Sequence, residues 1–267
     1  MTNTTRKIGA ITIGQSPRDD IMAVMTPHLP DGLKVLQRGA LDDLDAVTIA
    51  SLRPDLSAET GDLDGPGEPA NELEYDILVS RMRDGSEAMM THDRVVPLMQ
   101  QKIVELESEG AEFIVLLCGG DFPELRSNRI IVHPGKLLRG AVESVAHGAK
   151  LGMVMPSDTQ VAAARDHAVG RWGAREVFVT HGSPYLPVTD WHNEWQRVSG
   201  EMTEHQVDLV FLNCMGMNEQ MKSTVQQGHR QAGAAPEFHA GSGDCRTRPL
   251  DRSLRRHAGS MGNPDAI

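Results

Sequence analysis

Two cysteines stand in matched surroundings. Glu112 leads an apolar run that ends at Cys118, with Gly120 two residues on; Asp208 leads a second run that ends at Cys214, with Gly216 two residues on. Short, fully apolar runs bounded by turn residues suit buried parallel strands. The carboxyl ends of such strands are where open α/β sheets present their ligands. Two thiols placed this way, 96 residues apart, imply two similar halves facing one site. The chemistry they suit is proton transfer at a carbon next to a carboxylate, one thiolate removing a proton from one face and the opposite thiol delivering one to the other. Each thiol then needs a pKa lowered from about 8.5, which a helix N-terminus provides. Gly119, Gly120, Met215 and Gly216 stand where strands are expected to turn into helices, and their amides suit a substrate carboxylate. The plainer alternative is that both are core cysteines, since free cysteine is among the most buried residue types.

Other residues are expected at the same crevice. Gly14, Ser16 and Arg18 follow the first strand, and Arg18 is suited to a bidentate clamp on a carboxylate. Arg81 and Arg83 flank the next strand end, with a solvated surface as their alternative. Asp121 and Glu124 lie just beyond Cys118, and Tyr185, in Ser183-Pro184-Tyr185, follows a later strand. Cys245 is given no role.

Alternating elements must position these groups. Apolar strands are expected over 8–13, 33–36, 77–82, 130–132, 151–155 and 176–180, besides the two that end in cysteine, with a hairpin return over 87–90. Ser16 is read as an N-cap with Pro17 at the first helical position, and Met22, Met25 and Leu29 as that helix's inner face. Further helices are expected over 42–49, 95–109 (inner face Val96, Met99, Ile103, Leu106), 137–146, 157–171, with Ser157 as cap, and 191–203. Residues 53–74 form a long acidic loop, of the length that lids and binding loops have. Strand and helix in alternation predict parallel sheets with right-handed crossovers, in two similar Rossmann-like lobes over 1–149 and 150–227.

Composition narrows the partners. The 267 residues carry a formal charge of -11, which opposes nucleic acid and anionic membranes. No stretch approaches the ~18–20 apolar residues of a membrane helix, and the first residues do not read as a signal peptide. Three scattered cysteines argue against a disulfide scaffold and fit a reducing cytoplasm. There is no CxxC, HExxH or P-loop, and the eleven histidines lack ligand spacing, so no metal is expected. A homo-oligomer is left open.

Five motifs carry a resemblance: IGQSPR at 13–18, SRMRDG at 80–85, VLLCGGDFP at 115–123, SPY at 183–185 and LNCMGM at 212–217. Together they resemble the AroM protein family over 8 to about 224. The paired-cysteine pattern also resembles the wider aspartate, glutamate and hydantoin racemase superfamily, whose two cysteines, one per lobe, are an acid–base pair working without a cofactor. That resemblance puts Cys118 and Cys214 in those roles. It departs where the racemases often carry Asn-Thr after the first cysteine and Thr-His after the second; here Gly119-Gly120 and Met215-Gly216 stand instead. The expected function is cofactor-independent racemisation, isomerisation or decarboxylation of a small carboxylate through Cys118 and Cys214. The competing expectation is a non-catalytic small-molecule binding or regulatory protein with the same cleft.

The last segment breaks the pattern. From Gln226 onward there is no lysine and no strand or helix period. Back-translated from Gly228 to Arg248, the frame one base later can encode an apolar run, a Pro-Asn-Ser turn and an amphipathic helix. Residues 228–267 are therefore expected to be a frameshifted, poorly ordered tail that leaves the second lobe incomplete.

Overall fold

The central strand of each half opens on one pattern, Lys7-Ile8-Gly9 in β1 (Lys7–Thr12) and Lys150-Leu151-Gly152 in β7 (Lys150–Met155). The computed structural model describes residues 5–54, 77–168 and 170–231, and it sets these strands in two separate parallel sheets. In the first, β1 lies between β2 (Lys34–Gly39) and β5 (Phe113–Leu116), and β6 (Ile130–Val132) pairs with β5. In the second, β7 lies between β8 (Glu176–His181) and β9 (Leu209–Leu212). The order β2-β1-β5 thus recurs as β8-β7-β9. The fold is α/β, with parallel sheets flanked by helices α1 (Asp19–Met25), α2 (Ala46–Ser51), α3 (His92–Ser108), α4 (Pro134–Ala146), α5 (Val161–Ala168), α6 (Val188–Glu204) and α7 (Glu219–Gln231).

The repeat extends to single contacts. A Cβ on Gly9 would stand 2.9 Å from Leu106 Cδ1, and one on Gly152 would run into Met202 Sδ, so α3 and α6 each press onto a strand through a glycine. Glu112 N bonds to Lys7 O and Asp208 N to Lys150 O, both at 2.8 Å. At the far end Leu117 N bonds to Ile11 O at 2.7 Å and Asn213 N to Val154 O at 2.9 Å. These bonds carry Cys118 and Cys214 to equivalent levels just beyond their sheets.

Burial holds each half. Ile11, Met99, Ile103, Leu106, Ile114 and Leu116 pack the first core. Trp172 and Phe211 pack one side of the second sheet, and Trp195, Met202 and Val225 the other. Each such side chain contributes about 1.5–3 kcal/mol on leaving water. Met215, from the second half, packs against Ala10, Ile21, Val115 and Leu117 of the first.

Strands β3 (Ile77–Arg81) and β4 (Glu87–Thr91) form an antiparallel hairpin outside both sheets. A two-stranded hairpin is marginal alone, and this one is held from both halves. Arg83 Nε donates to Ser16 O at 2.6 Å, Gln160 Nε2 to Ile77 O at 2.8 Å and Ser183 Oγ to Glu87 Oε2 at 3.0 Å.

Several boundaries differ from the sequence reading. Helix α1 starts at Asp19, not at Pro17, because the Ser16 amide and hydroxyl are both bound to Asp42 and cannot cap. Ser157 caps nothing: its hydroxyl faces Asp158 and Thr159, a 3-10 turn follows, and α5 ends at Ala168. Val95 rather than Val96 joins Met99, Ile103 and Leu106 on the buried stripe of α3. Helix α7 reaches Gln231, four residues into the segment assigned to the aberrant tail. Asn218 Oδ1 caps it at 3.0 and 3.1 Å, and Met221 and Val225 anchor it in the core. The rest of the expected tail, 232–267 with Cys245, lies outside the described residues, as does 55–74 of the acidic loop.

Candidate active site

Cys118 leaves β5 and Cys214 leaves β9 through the same turn. Gly120 N lies 3.4 Å from Cys118 Sγ, and Gly216 N lies 3.4 Å from Cys214 Sγ. The turns face each other: a Cβ on Gly119 would stand 3.5 Å from Asn213 Oδ1, the residue before the second cysteine. Both thiols are half-buried, the charge of Arg18 is felt at each, and the charge of Cys214 is felt at Cys118.

The expected lowering of the thiol pKa does not occur. Burial pushes Cys118 up to about 11; the amides of Gly120 and Gly119 and the charge of Arg18 oppose it and lose. Burial also raises Cys214, against the Gly216 amide, the Tyr185 hydroxyl and Arg18. The physical reason is local. No helix begins at Cys118: the chain runs 119–129 before β6, and α4 brings Gly135 against Gly119 O instead. Helix α7 begins only at Glu219.

Arg18 is 3% exposed, so it does not point into solvent. Its fork is already filled: Nε and Nη2 donate to the two oxygens of Asp20 at 2.9 and 2.8 Å, and Nη1 to Thr12 Oγ1 at 3.3 Å. Burial lowers the guanidinium pKa, but the bonds to Asp20 and the neighbouring Tyr185 more than reverse this. The bidentate clamp expected for a substrate closes on an internal carboxylate. Its remaining open direction is towards Tyr185, whose ring centroid lies 5.7 Å from Arg18 Cζ.

Tyr185 sits at the second thiol. Its hydroxyl is 3.6 Å from Cys214 Sγ, and a Cβ on Gly216 would fall 2.7 Å from it, so glycine is required for the ring to approach. Burial and the neighbouring Cys214 push the phenol pKa well up, with Arg18 pulling the other way. The hydroxyl therefore keeps its proton.

Three expected ligand groups serve structure instead. Gly14 packs on the hairpin, where a Cβ would stand 2.7 Å from Arg81 O. Ser16 gives its amide and hydroxyl to Asp42, both at 2.7 Å, and Asp42 also takes Gly39 N and Arg83 Nη2 at 2.7 Å. Met215 joins the two halves through the apolar cluster described above. Asp121 is turned from the thiol towards Lys136, 3.0 Å away.

Beyond Tyr185 a cavity of about 760 Å³ opens, walled by Asp20, Arg81, Glu87, Tyr185, Gly216 and Asn218 among others. That volume is in the range of small-molecule sites, roughly 300–1,000 Å³. Sequence reasoning found Arg81, Tyr185 and Gly216 but missed Asp20, Glu87 and Asn218. Asp20 lies in the first turn of α1 and Asn218 caps α7, and nothing in their local sequence marks a cavity. Among the described residues no cluster of three or more His, Cys, Asp or Glu is placed to hold a metal, and no helix is long and apolar enough to cross a membrane.

No curated protein sequence matches the chain. Among solved structures it is similar to an allantoin racemase from Klebsiella pneumoniae, at 15% identity over 87% of this chain and 82% of that one, TM-score 0.47. It is also similar to a glutamate racemase from Aquifex pyrophilus (13% identity, 87% and 78% covered, TM-score 0.49) and to the Picrophilus torridus aspartate racemase (11%, 86% and 95%, TM-score 0.47). The model of the AroM protein family matches residues 8–63 and 64–232, which takes in both cysteine turns, the hairpin and the Tyr185 loop. The chain belongs to the AroM protein family.

Proposed function

We propose that this protein is a cofactor-independent enzyme of the racemase or isomerase type, moving protons at the carbon next to a small carboxylate through Cys118 and Cys214. The observation that carries this reading is the meeting of two equivalent strand-end turns, with Gly119 against Asn213 and each thiol facing a glycine amide. Cys214 has the Tyr185 hydroxyl as an additional donor and so holds a thiolate better than Cys118. Cys214 is therefore the base and Cys118 the acid in the direction that starts from one shared negative charge. The substrate C–H bond breaks as S–H forms on Cys214, and the electron pair passes into the adjoining carboxylate. Cys118 S–H then breaks as a new C–H bond forms on the opposite face. The charge ends on Cys118, poised for the reverse reaction. Differences of acidity between paired groups assign such roles in general acid–base catalysis.

The raised thiols favour one second reading, a binding protein that keeps the cleft without the chemistry. Solvent exchange separates the two. A panel of small carboxylates with an acidic α-carbon, incubated with the protein in D2O, should take up deuterium at that carbon, and Cys118→Ser or Cys214→Ser should each abolish it. Uptake unchanged in both variants, or absent from the wild type, sides with the binding protein.

A further inference from the structure

The hairpin register sets Arg81 directly opposite Glu87. Directly opposed residues carry their Cβ atoms roughly 4.5–5.5 Å apart on one face, a spacing at which opposite charges normally pair. These two do not. Glu87 instead receives the hydroxyl of Ser183 from the other half, at 3.0 Å. The Arg81 side chain makes no hydrogen bond or ion pair among the described residues, and its charge is felt at Asp20. Both side chains line the 760 Å³ cavity that reaches Tyr185 and Gly216, the neighbours of Cys214. The wall thus presents a guanidinium without a hydrogen-bond partner among the described residues and, from the opposing strand, a carboxylate with one oxygen occupied by Ser183. Arg18, another cation nearby, has its fork closed by Asp20.

We propose that this cavity is a two-pole subsite in which Arg81 holds the carboxylate of the ligand, while Glu87 accepts a hydrogen bond from a neutral donor group on the same molecule. An ammonium group at the second pole would meet the charge of Arg53, already felt at Glu87, and a second carboxylate would stand against that of Glu87. The ligand class is therefore a small carboxylate bearing a neutral donor, of which a primary amide is the simplest. A planar guanidinium fork matches a carboxylate bidentately. The inference rests on the carboxylate reading above in placing the ligand within reach of Cys214, but not on any proton transfer.

Three near-isosteric probes test it by titration calorimetry on the full chain: succinamate, succinate and succinamide. Succinamate is expected to bind at least about tenfold more tightly than either of the others, as loss of one charge-assisted contact or exposure of Glu87 to a second charge predicts. Arg81→Gln should remove that advantage over succinamide, and Glu87→Gln should narrow the gap between succinamate and succinate. Equal binding of succinamate and succinamide by the wild type, tighter binding of succinate, or no binding of any probe overturns the proposal without recourse to a variant. An Arg81→Gln protein with unchanged unfolding temperature and unchanged succinamate affinity also overturns it. If the wild type shows the expected order of binding but no deuterium uptake, the subsite stands and the enzyme reading falls.

Discussion

The hydroxyl of Tyr185 lies 3.6 Å from Cys214 Sγ, and the same ring faces the buried Arg18 at 5.7 Å. One side chain from the loop after β8 therefore joins the second thiol to a cation delivered by the first half. Tyr185→Phe keeps the ring and removes the hydroxyl that holds the Cys214 pKa down against burial. Alkylation of Cys214 by iodoacetamide at about pH 8–9 should slow severalfold, with Cys118 unaffected, because the thiolate is the reacting species. Mass spectrometry of the two cysteine peptides reads this directly, and equal Cys214 rates in both proteins refute the coupling.

Cys118 should label slowly near pH 7 and accelerate as pH approaches about 11, the reverse of what a thiol at a helix N-terminus would do. Its folded pKa, about 11, stands above the ordinary 9.0, so the stability tied to its proton is fully present below pH 9 and is lost as pH rises towards 11. Urea unfolding should show stability falling across that window, by on the order of 2 kcal/mol for this group. Cys118→Ser should flatten the fall, and an identical slope in both proteins counts against it.

Asp20→Ala leaves the Arg18 guanidinium, 3% exposed, without its carboxylate. Breaking a buried pair from one side costs about 3–5 kcal/mol. Thermal unfolding should register the loss, and added formate should restore part of it by entering the vacated fork. A loss below about 1 kcal/mol would mean that solvent already screens the pair.

Asp42→Ala removes the acceptor of Ser16 N, Ser16 Oγ, Gly39 N and Arg83 Nη2. Orphaned buried donors each cost about 1–3 kcal/mol, so a drop on the order of 3 kcal/mol is expected in urea unfolding. The hairpin should loosen with it, which hydrogen exchange at β3 and β4 amides would detect. Exchange confined to wild-type rates would show that Arg83 does not tether the hairpin through Asp42.

Much of the scaffold was legible along the chain. Runs such as 113–117 and 209–212 are apolar at every position because a parallel strand covered on both faces has no side for polar groups. That made Cys118 and Cys214 visible as strand-end residues in two similar halves. The matching Lys7-Ile8-Gly9 and Lys150-Leu151-Gly152 openings were equally present and went unread, since two glycines in strands mean nothing until a helix is seen pressing on each. Helix α7 escaped because few of its residues are apolar and its core anchors are Met221 and Val225.

What only the tertiary structure decided is which polar groups remain available. Ser16 and Arg18 had the right types and spacing for a ligand, but Asp42, 26 residues on, takes the one, and Asp20 takes the other. The thiol acidities followed burial rather than a nearby helix end, because desolvation is a property of everything packed around a group. Arg81 stands opposite Glu87 in the hairpin without pairing, and the carboxylate takes its hydrogen bond from Ser183 of the opposite half. Local sequence dictates where a side chain emerges; whether its charge is already answered depends on partners that only folding brings near.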